Sequence, residues 1–191
     1  MISVSSLVQF VEICMHAFFR MSILPNICIT GTPGTGKTSL AKELCRRVEA
    51  LLYVDLGHEI KTRKLFSEWD DEFDASILDE DKVLQFLNSL VLSRPQGGIV
   101  VDFHSVGFLP SDSFAGAVVL RADTNVLWDR LAARGYSEAK VKENVESEIF
   151  QTSLEEAAEA FGEDQIMERP NNNLQDAEDN LKLLTGLFGR V

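Results

Sequence analysis

The sequence predicts an α/β fold in which a parallel β-sheet is covered by helices on both faces. From Pro25 onward, short apolar runs alternate with amphipathic segments. The runs show little internal apolar/polar alternation, as strands buried on both faces require. The first run also leads straight into a glycine-rich turn and then an amphipathic helix. A chain of 191 residues, 45% hydrophobic and 25% charged, has material for one packed domain, expected over 25–191 behind an extension at 1–24.

In that extension, Glu12 interrupts an otherwise apolar run, and the first Lys or Arg, Arg20, comes after it. A secretory signal has the opposite charge order, and the uninterrupted run is too short to span a membrane. Met21 offers a second start just ahead of the first strand. The segment therefore reads as an upstream-start extension or a short accessory helix; a mitochondrial address would need more arginines.

Strands are expected at Asn26–Thr30, Leu51–Val54, Ile99–Phe103, Ala117–Leu120 and Gln165–Glu168, and helices at Lys37–Val48, Asp79–Leu92, Asn125–Arg134 and Ala139–Phe161. In the last helix Val141, Val145 and Ile149 recur every four residues, and Phe150, Leu154, Ala157 and Phe161 form a neighbouring stripe, together a wide apolar band for packing. Leu174, Ala177, Leu181, Leu184 and Phe188 repeat at three-and-four spacing, which predicts a terminal helix docked on the sheet. Cys14, Cys28 and Cys45 form no C-x-x-C pair and read as free thiols packed as small hydrophobes in a reducing compartment.

Eighteen Lys and Arg against thirty Asp and Glu give a net charge of −12. That field opposes a nucleic-acid backbone, so no direct sequence-specific nucleic-acid binding is expected, and it favours a basic protein partner. A local anion pocket stays open to such a chain, and the sequence contains one. Gly31-Thr32-Pro33-Gly34-Thr35-Gly36-Lys37-Thr38 fits G-x-x-x-x-G-K-[ST] in full, between strand and helix where the motif works. A chance match has a probability on the order of 0.7% at this length. Gly31, Gly34 and Gly36 allow the backbone N–H groups to turn inward around phosphate oxygens, and the following helix N-terminus adds more donors. Lys37 supplies a mobile charge for β- and γ-phosphates, the Thr38 hydroxyl suits Mg²⁺, and Ser39 donates toward the α-phosphate.

A carboxylate at a neighbouring strand end completes such a site. Asp102, closing Ile99-Val100-Val101, is the candidate for the metal or its bound water, with helix capping as the alternative. His104 points to the same side in an extended chain and either orients water or is simply hydrogen-bonded. Charge released by a moving γ-phosphoryl calls for arginines. Arg130 and Arg134 lie one helical turn apart on an expected common face, before a break at Gly135; a structural ion pair is the alternative for Arg130. The absence of N-K-x-D and of a D-x-x-G switch excludes a Ras-like GTPase, and no long lid with metal-spaced cysteines is present.

GTPGTGKT, DDEFDASILDEDKV, GGIVVDFH, LRADTNVLWDRLAARGYSE and ESEIFQ together resemble the adenylate kinase isoenzyme 6 family, from about Pro25 to the terminal helix. The resemblance implies a P-loop nucleoside monophosphate kinase fold, with a monophosphate-binding section over 55–78 and a short lid over 133–143. It assigns Gly34, Gly36, Lys37, Thr38 and Ser39 to ATP phosphates, Arg134 to the nucleotide at the lid, and Asp102 with His104 to metal and water. Gly57, Lys61 and Arg130 become candidates for the acceptor. It further implies phosphoryl transfer from Mg-ATP to AMP or a related monophosphate, ATP hydrolysis, and small-subunit ribosome maturation through a basic ribosomal protein, in nucleus and cytoplasm. One departure stands out. Where the family has Gly-Asp and then Arg, this chain has Gly57-His58 and then Lys61, and lysine lacks the bidentate fork of arginine. The acidic segment Glu68–Asp81, with Trp69 and Phe73, reads either as a solvated face or as a contact for a basic partner. An assembly factor that hydrolyses ATP as a switch, with kinase activity incidental, is the second reading; a non-catalytic nucleotide scaffold is the third.

Overall fold

A computed structural model describes residues 24–70 and 75–188. Five strands, β1 (Ile27–Thr30), β2 (Leu52–Asp55), β5 (Ile99–Asp102), β6 (Gly116–Arg121) and β7 (Ile166–Pro170), form a parallel sheet in the order β2-β5-β1-β6-β7. These are the five expected strands, displaced by one or two residues at their ends. Around them run α1 (Lys37–Arg47), α2 (Leu56–Arg63), α3 (Glu80–Ser93), α4 (Thr124–Ala133), α5 (Glu138–Ile149), α6 (Thr152–Phe161) and α7 (Leu174–Phe188).

Alternation along each strand divides the core in two. Ile27, Ile29, Val100, Val118 and Leu120 point to one face and pack against Leu40 and Leu44 of α1 and Leu181, Leu184 and Phe188 of α7. Cys28, Ile99, Val101, Ala117 and Val119 point to the other, against Leu56 and Ile60 of α2, Val83 and Leu87 of α3, and Ala157 and Phe161 of α6. Because both faces are apolar, strand periodicity is invisible in hydropathy while the runs themselves are conspicuous.

Three local findings differ from the sequence expectation. The segment after β2 forms α2, capped by the Asp55 side chain accepting from His58 N, and then an antiparallel pair, β3 (Phe66–Asp70) and β4 (Ala75–Leu78). The acidic segment runs through this pair, and its Asp71–Asp74 stretch lies outside the described residues. The single helix expected at Ala139–Phe161 is two, because Gln151 adopts φ 60° between α5 and α6. That break puts Phe150, 71% exposed, out of phase with the Leu154, Ala157 and Phe161 stripe; within α5 the buried positions are Val141 and Glu148, and Ile149 is 57% exposed, outside the apolar band it was expected to join. Leu174 likewise falls off its stripe at 90% exposure, at the first turn of α7.

Leu24, at the end of the expected extension, bridges Gly97; residues 1–23, with Cys14, lie outside the described residues. Cys28 is fully buried and Cys45 packs at the core edge, in keeping with structural thiols. Among the described residues, no helix is long and apolar enough to cross a membrane.

Candidate active site

The cradle is built where β1 runs out of the sheet. The loop after Thr30 turns through Gly34 and Gly36, at φ 98° and 101°, conformations that L side chains rarely adopt. A Cβ on Gly34 would sit 2.7 Å from Leu127 Cδ1, and one on Gly36 would overlap the Asn171 amide nitrogen. Helix α1 then begins at Lys37 with no side-chain cap and no acidic residue in its first turn. Its orphan N–H groups and the positive end of its dipole are left for an anion.

Lys37 is buried, and its Nζ donates to the carbonyls of Gly31 at 2.6 Å and Thr32 at 3.1 Å. Burial pulls its pKa down to about 8 against the opposing pull of Asp102, with the Arg134 charge lowering it further. Thr38 donates from Oγ1 to Asp102 Oδ2 at 2.6 Å, and Tyr53 donates from its hydroxyl to the same oxygen at 3.2 Å. Parallel register places Asp55 of β2 opposite Asp102 of β5, so both carboxylates leave the sheet at one level. Burial raises the Asp102 pKa, and the Thr38 hydrogen bond and the Lys37 charge pull it back. The Tyr53 phenol is pushed up by burial and then by the charges of Asp102 and Asp55.

A hydroxyl and a carboxylate touching beside an anion nest are a hard-oxygen pair of the kind a hydrated Mg²⁺ takes. Among the described residues no group of three or more His, Cys, Asp or Glu is arranged to hold a metal, so such an ion would complete its shell with water and phosphate oxygens.

The chain continues past Asp102 into Phe103 and His104, whose rings lie 4.4 Å apart. This loop is pinned from α6. Glu156 Oε1 accepts from Ser105 Oγ at 2.5 Å and from the N–H groups of Val106 and Gly107 at 3.0 and 2.9 Å. His104 is exposed as a residue, yet desolvation by surrounding atoms, then the Lys37 charge, holds its pKa below the usual value.

One cleft of about 780 Å³ joins these groups. Gly34, Gly36, Lys37, Thr38 and Ser39 of the cradle line it together with Asp55, Gly57, Ile60, Lys61 and Leu78, and with Asp102 and His104. Arg134, Tyr136 and Lys140 line it from the segment expected to be the lid, where α4 ends and Gly135 turns at φ 79°.

Arg130 is the exception among the expected site residues. It is absent from the cleft wall, and its guanidinium donates to the carbonyls of Gly34 at 3.3 Å, Asn171 at 2.9 Å and Asn172 at 2.8 Å. Among the described residues it has no acidic partner of the kind expected as the alternative; it braces the cradle against the loop after β7. The expected common role with Arg134 is not seen: Arg134, the C-cap of α4, lines the cleft and Arg130 does not. His58 lies off the cleft wall and turns its ring toward Thr62, with Nε2 3.3 Å from Oγ1. Sequence reasoning did not single out Tyr53, Asp55, Glu156 or Lys140, although Asp55 and Lys140 fall inside the expected 55–78 section and 133–143 lid; the Y-x-D alternation at the end of β2 is a signal that could have marked Tyr53 and Asp55.

Residues 27–151 match the protein family described as an AAA domain. The adenylate kinase isoenzyme 6 homolog of Caenorhabditis elegans is 41% identical over 165 residues, covering 86% of this chain and 90% of that protein. The chain belongs to the adenylate kinase isoenzyme 6 family. The Schizosaccharomyces pombe homolog is also 41% identical, over 162 residues, covering 85% of this chain and 90% of that protein. A shikimate kinase from Bacteroides thetaiotaomicron superposes with a TM-score of 0.54 at 18% identity, covering 86% of this chain and 98% of that one, a likeness of fold. The adenylate kinase 6 member described here is thus a P-loop protein with a kinase-like, nucleotide-binding function of the phosphotransferase class.

Proposed function

We propose that this chain transfers the γ-phosphoryl of Mg-ATP to AMP or a related nucleoside monophosphate and also hydrolyses ATP. The observation that supports this best is that a single cleft is lined both by the phosphate cradle and by Gly57 and Lys61. In this reading the loop amides and the α1 N-terminus hold the triphosphate, and Lys37 leaves the Gly31 and Thr32 carbonyls for the β- and γ-phosphates. Arg134, exposed at the helix end, reaches over the nucleotide as charge develops. Tyr53 and Thr38 hold the Asp102 carboxylate in place, and His104 orients the attacking water or acceptor oxygen. Thr38 and Asp102 would hold Mg²⁺, which when bound neutralises phosphate charge. Rate enhancement then comes from positioning and charge neutralisation.

The second reading, an ATP-hydrolysing switch that grips a basic small-subunit ribosomal protein during subunit maturation in nucleus and cytoplasm, is favoured by Lys61. A single ammonium meets a phosphate without the two-pronged geometry of arginine. The purified full chain, given Mg-ATP with and without AMP and with a basic ribosomal-protein peptide, separates the two. AMP-dependent ADP formation supports the kinase. ATP turnover that responds to the peptide and ignores AMP overturns it in favour of the switch.

A further inference from the structure

Among the groups outside the cleft wall, one buried acid is tied directly to the cradle. Glu148 lies in the last turn of α5 and is 3% exposed. Its Oε2 accepts a short hydrogen bond from the Thr32 hydroxyl. Its Oε1 accepts from Arg121 Nε at 2.6 Å and from Ala122 N at 3.1 Å, and its own carbonyl accepts from Arg121 at 2.9 Å. Arg121 also pairs with Glu168 of β7 at 3.0 Å. The carboxylate therefore meets three donors, and its charge is compensated inside the protein.

Thr32 is the hub of the loop. Its carbonyl accepts from Lys37 Nζ at 3.1 Å, from Thr35 N at 3.2 Å and from Thr35 Oγ1 at 2.9 Å. The residue that parks the lysine is thus held from behind by Glu148. The other end of α5 carries Lys140 into the cleft wall, beside Tyr136. One helix of twelve residues, about 18 Å long, thereby links the lid segment to the back of the phosphate cradle.

We propose that Glu148 is a positioning residue that holds Thr32, and through it the cradle, in the phosphate-binding conformation before nucleotide arrives. The inference rests on the reading of this loop as the ATP site. A loop pinned in its binding shape has little order left to acquire on binding. Releasing the pin converts that order into a cost that nucleotide binding must meet, whereas acceptor binding at the Lys61 wall is not affected.

The clean perturbation is at the hydroxyl, because Thr32→Val keeps shape and removes the donor, while Thr32→Ser keeps the donor. Calorimetry with Mg-ATP and with AMP, and amide exchange across Gly31–Lys37 in the nucleotide-free protein, are measured for both variants and for Glu148→Gln. Thr32→Val is expected to weaken Mg-ATP binding about tenfold, the scale of one hydrogen bond to a charged group, to speed exchange in the loop, and to leave AMP binding within twofold. Thr32→Ser is expected to restore both readouts, and Glu148→Gln to fall between. Equal Mg-ATP affinity and equal loop protection in Thr32→Val and the unsubstituted protein overturn the proposal. So does an equal loss in Thr32→Val and Thr32→Ser, which would make packing the cause. Failure of the unsubstituted protein to bind Mg-ATP is a separate result, and removes the ATP-site reading itself.

Discussion

Replacing Lys37 by Met tests the electrostatics of the cradle separately from its function. Lys37 is 9% exposed, and its pKa is lowered from 10.5 to about 8, first by burial. A lysine with a lowered folded-state pKa is destabilising wherever it is charged in both states, and the penalty is relieved as pH rises from the folded value toward the unfolded one. The shift corresponds to about 3 kcal/mol near pH 7. Methionine is similar in length and escapes that penalty, but it gives up the bonds to the Gly31 and Thr32 carbonyls, worth about 1 kcal/mol each. Thr32 O keeps its Thr35 donors. The balance leaves nucleotide-free Lys37→Met as stable as the unsubstituted chain or about 1 kcal/mol more so, a rise of roughly 2–4 °C in Tm. Near pH 9.5 the unsubstituted lysine is largely neutral, so the variant's advantage should vanish. The assay is thermal denaturation of both proteins at pH 7 and pH 9.5, with and without Mg-ATP. Addition of Mg-ATP should raise Tm of the unsubstituted chain alone. A fall of 5 °C or more in Lys37→Met at pH 7, or an advantage that grows at pH 9.5, would refute the reasoning.

Two further outcomes follow from the packing around the cleft. Gly34→Ala, at φ 98° with its new methyl 2.7 Å from Leu127 Cδ1, should lower stability by about 1–3 kcal/mol in denaturant titration and weaken Mg-ATP binding. Glu156→Ala removes the common acceptor of Ser105, Val106 and Gly107, so amide exchange at 106 and 107 should rise and turnover fall more than Mg-ATP affinity; unchanged turnover would detach this loop from the chemistry.

Residues whose role depends on local backbone chemistry were legible in the chain itself. Gly34, Gly36, Lys37 and Thr38 are fixed by the geometry of one strand-turn-helix unit, and Asp102 by its place at the end of an apolar run. The residues that were read otherwise or passed over depend on the packing around them. Arg130 looks like a lid arginine until the loop after β7 is seen to bring the Asn171 and Asn172 carbonyls to it. Glu148 sits within an apolar stripe, and only the approach of α5 to the end of β6 shows why a carboxylate is buried there. Gln151 carries no obvious breaking signal, yet its left-handed turn separates two helices and exposes Phe150.

The sequence by itself determined the parallel sheet, the phosphate cradle and the carboxylate beside it, because apolar runs, glycine spacing and strand ends act over a few residues. Only the tertiary structure decided which charged side chains face the cleft and which brace it. A buried arginine or glutamate takes whatever partner the packing of remote segments delivers, and the desolvation cost of leaving it unpaired makes that choice.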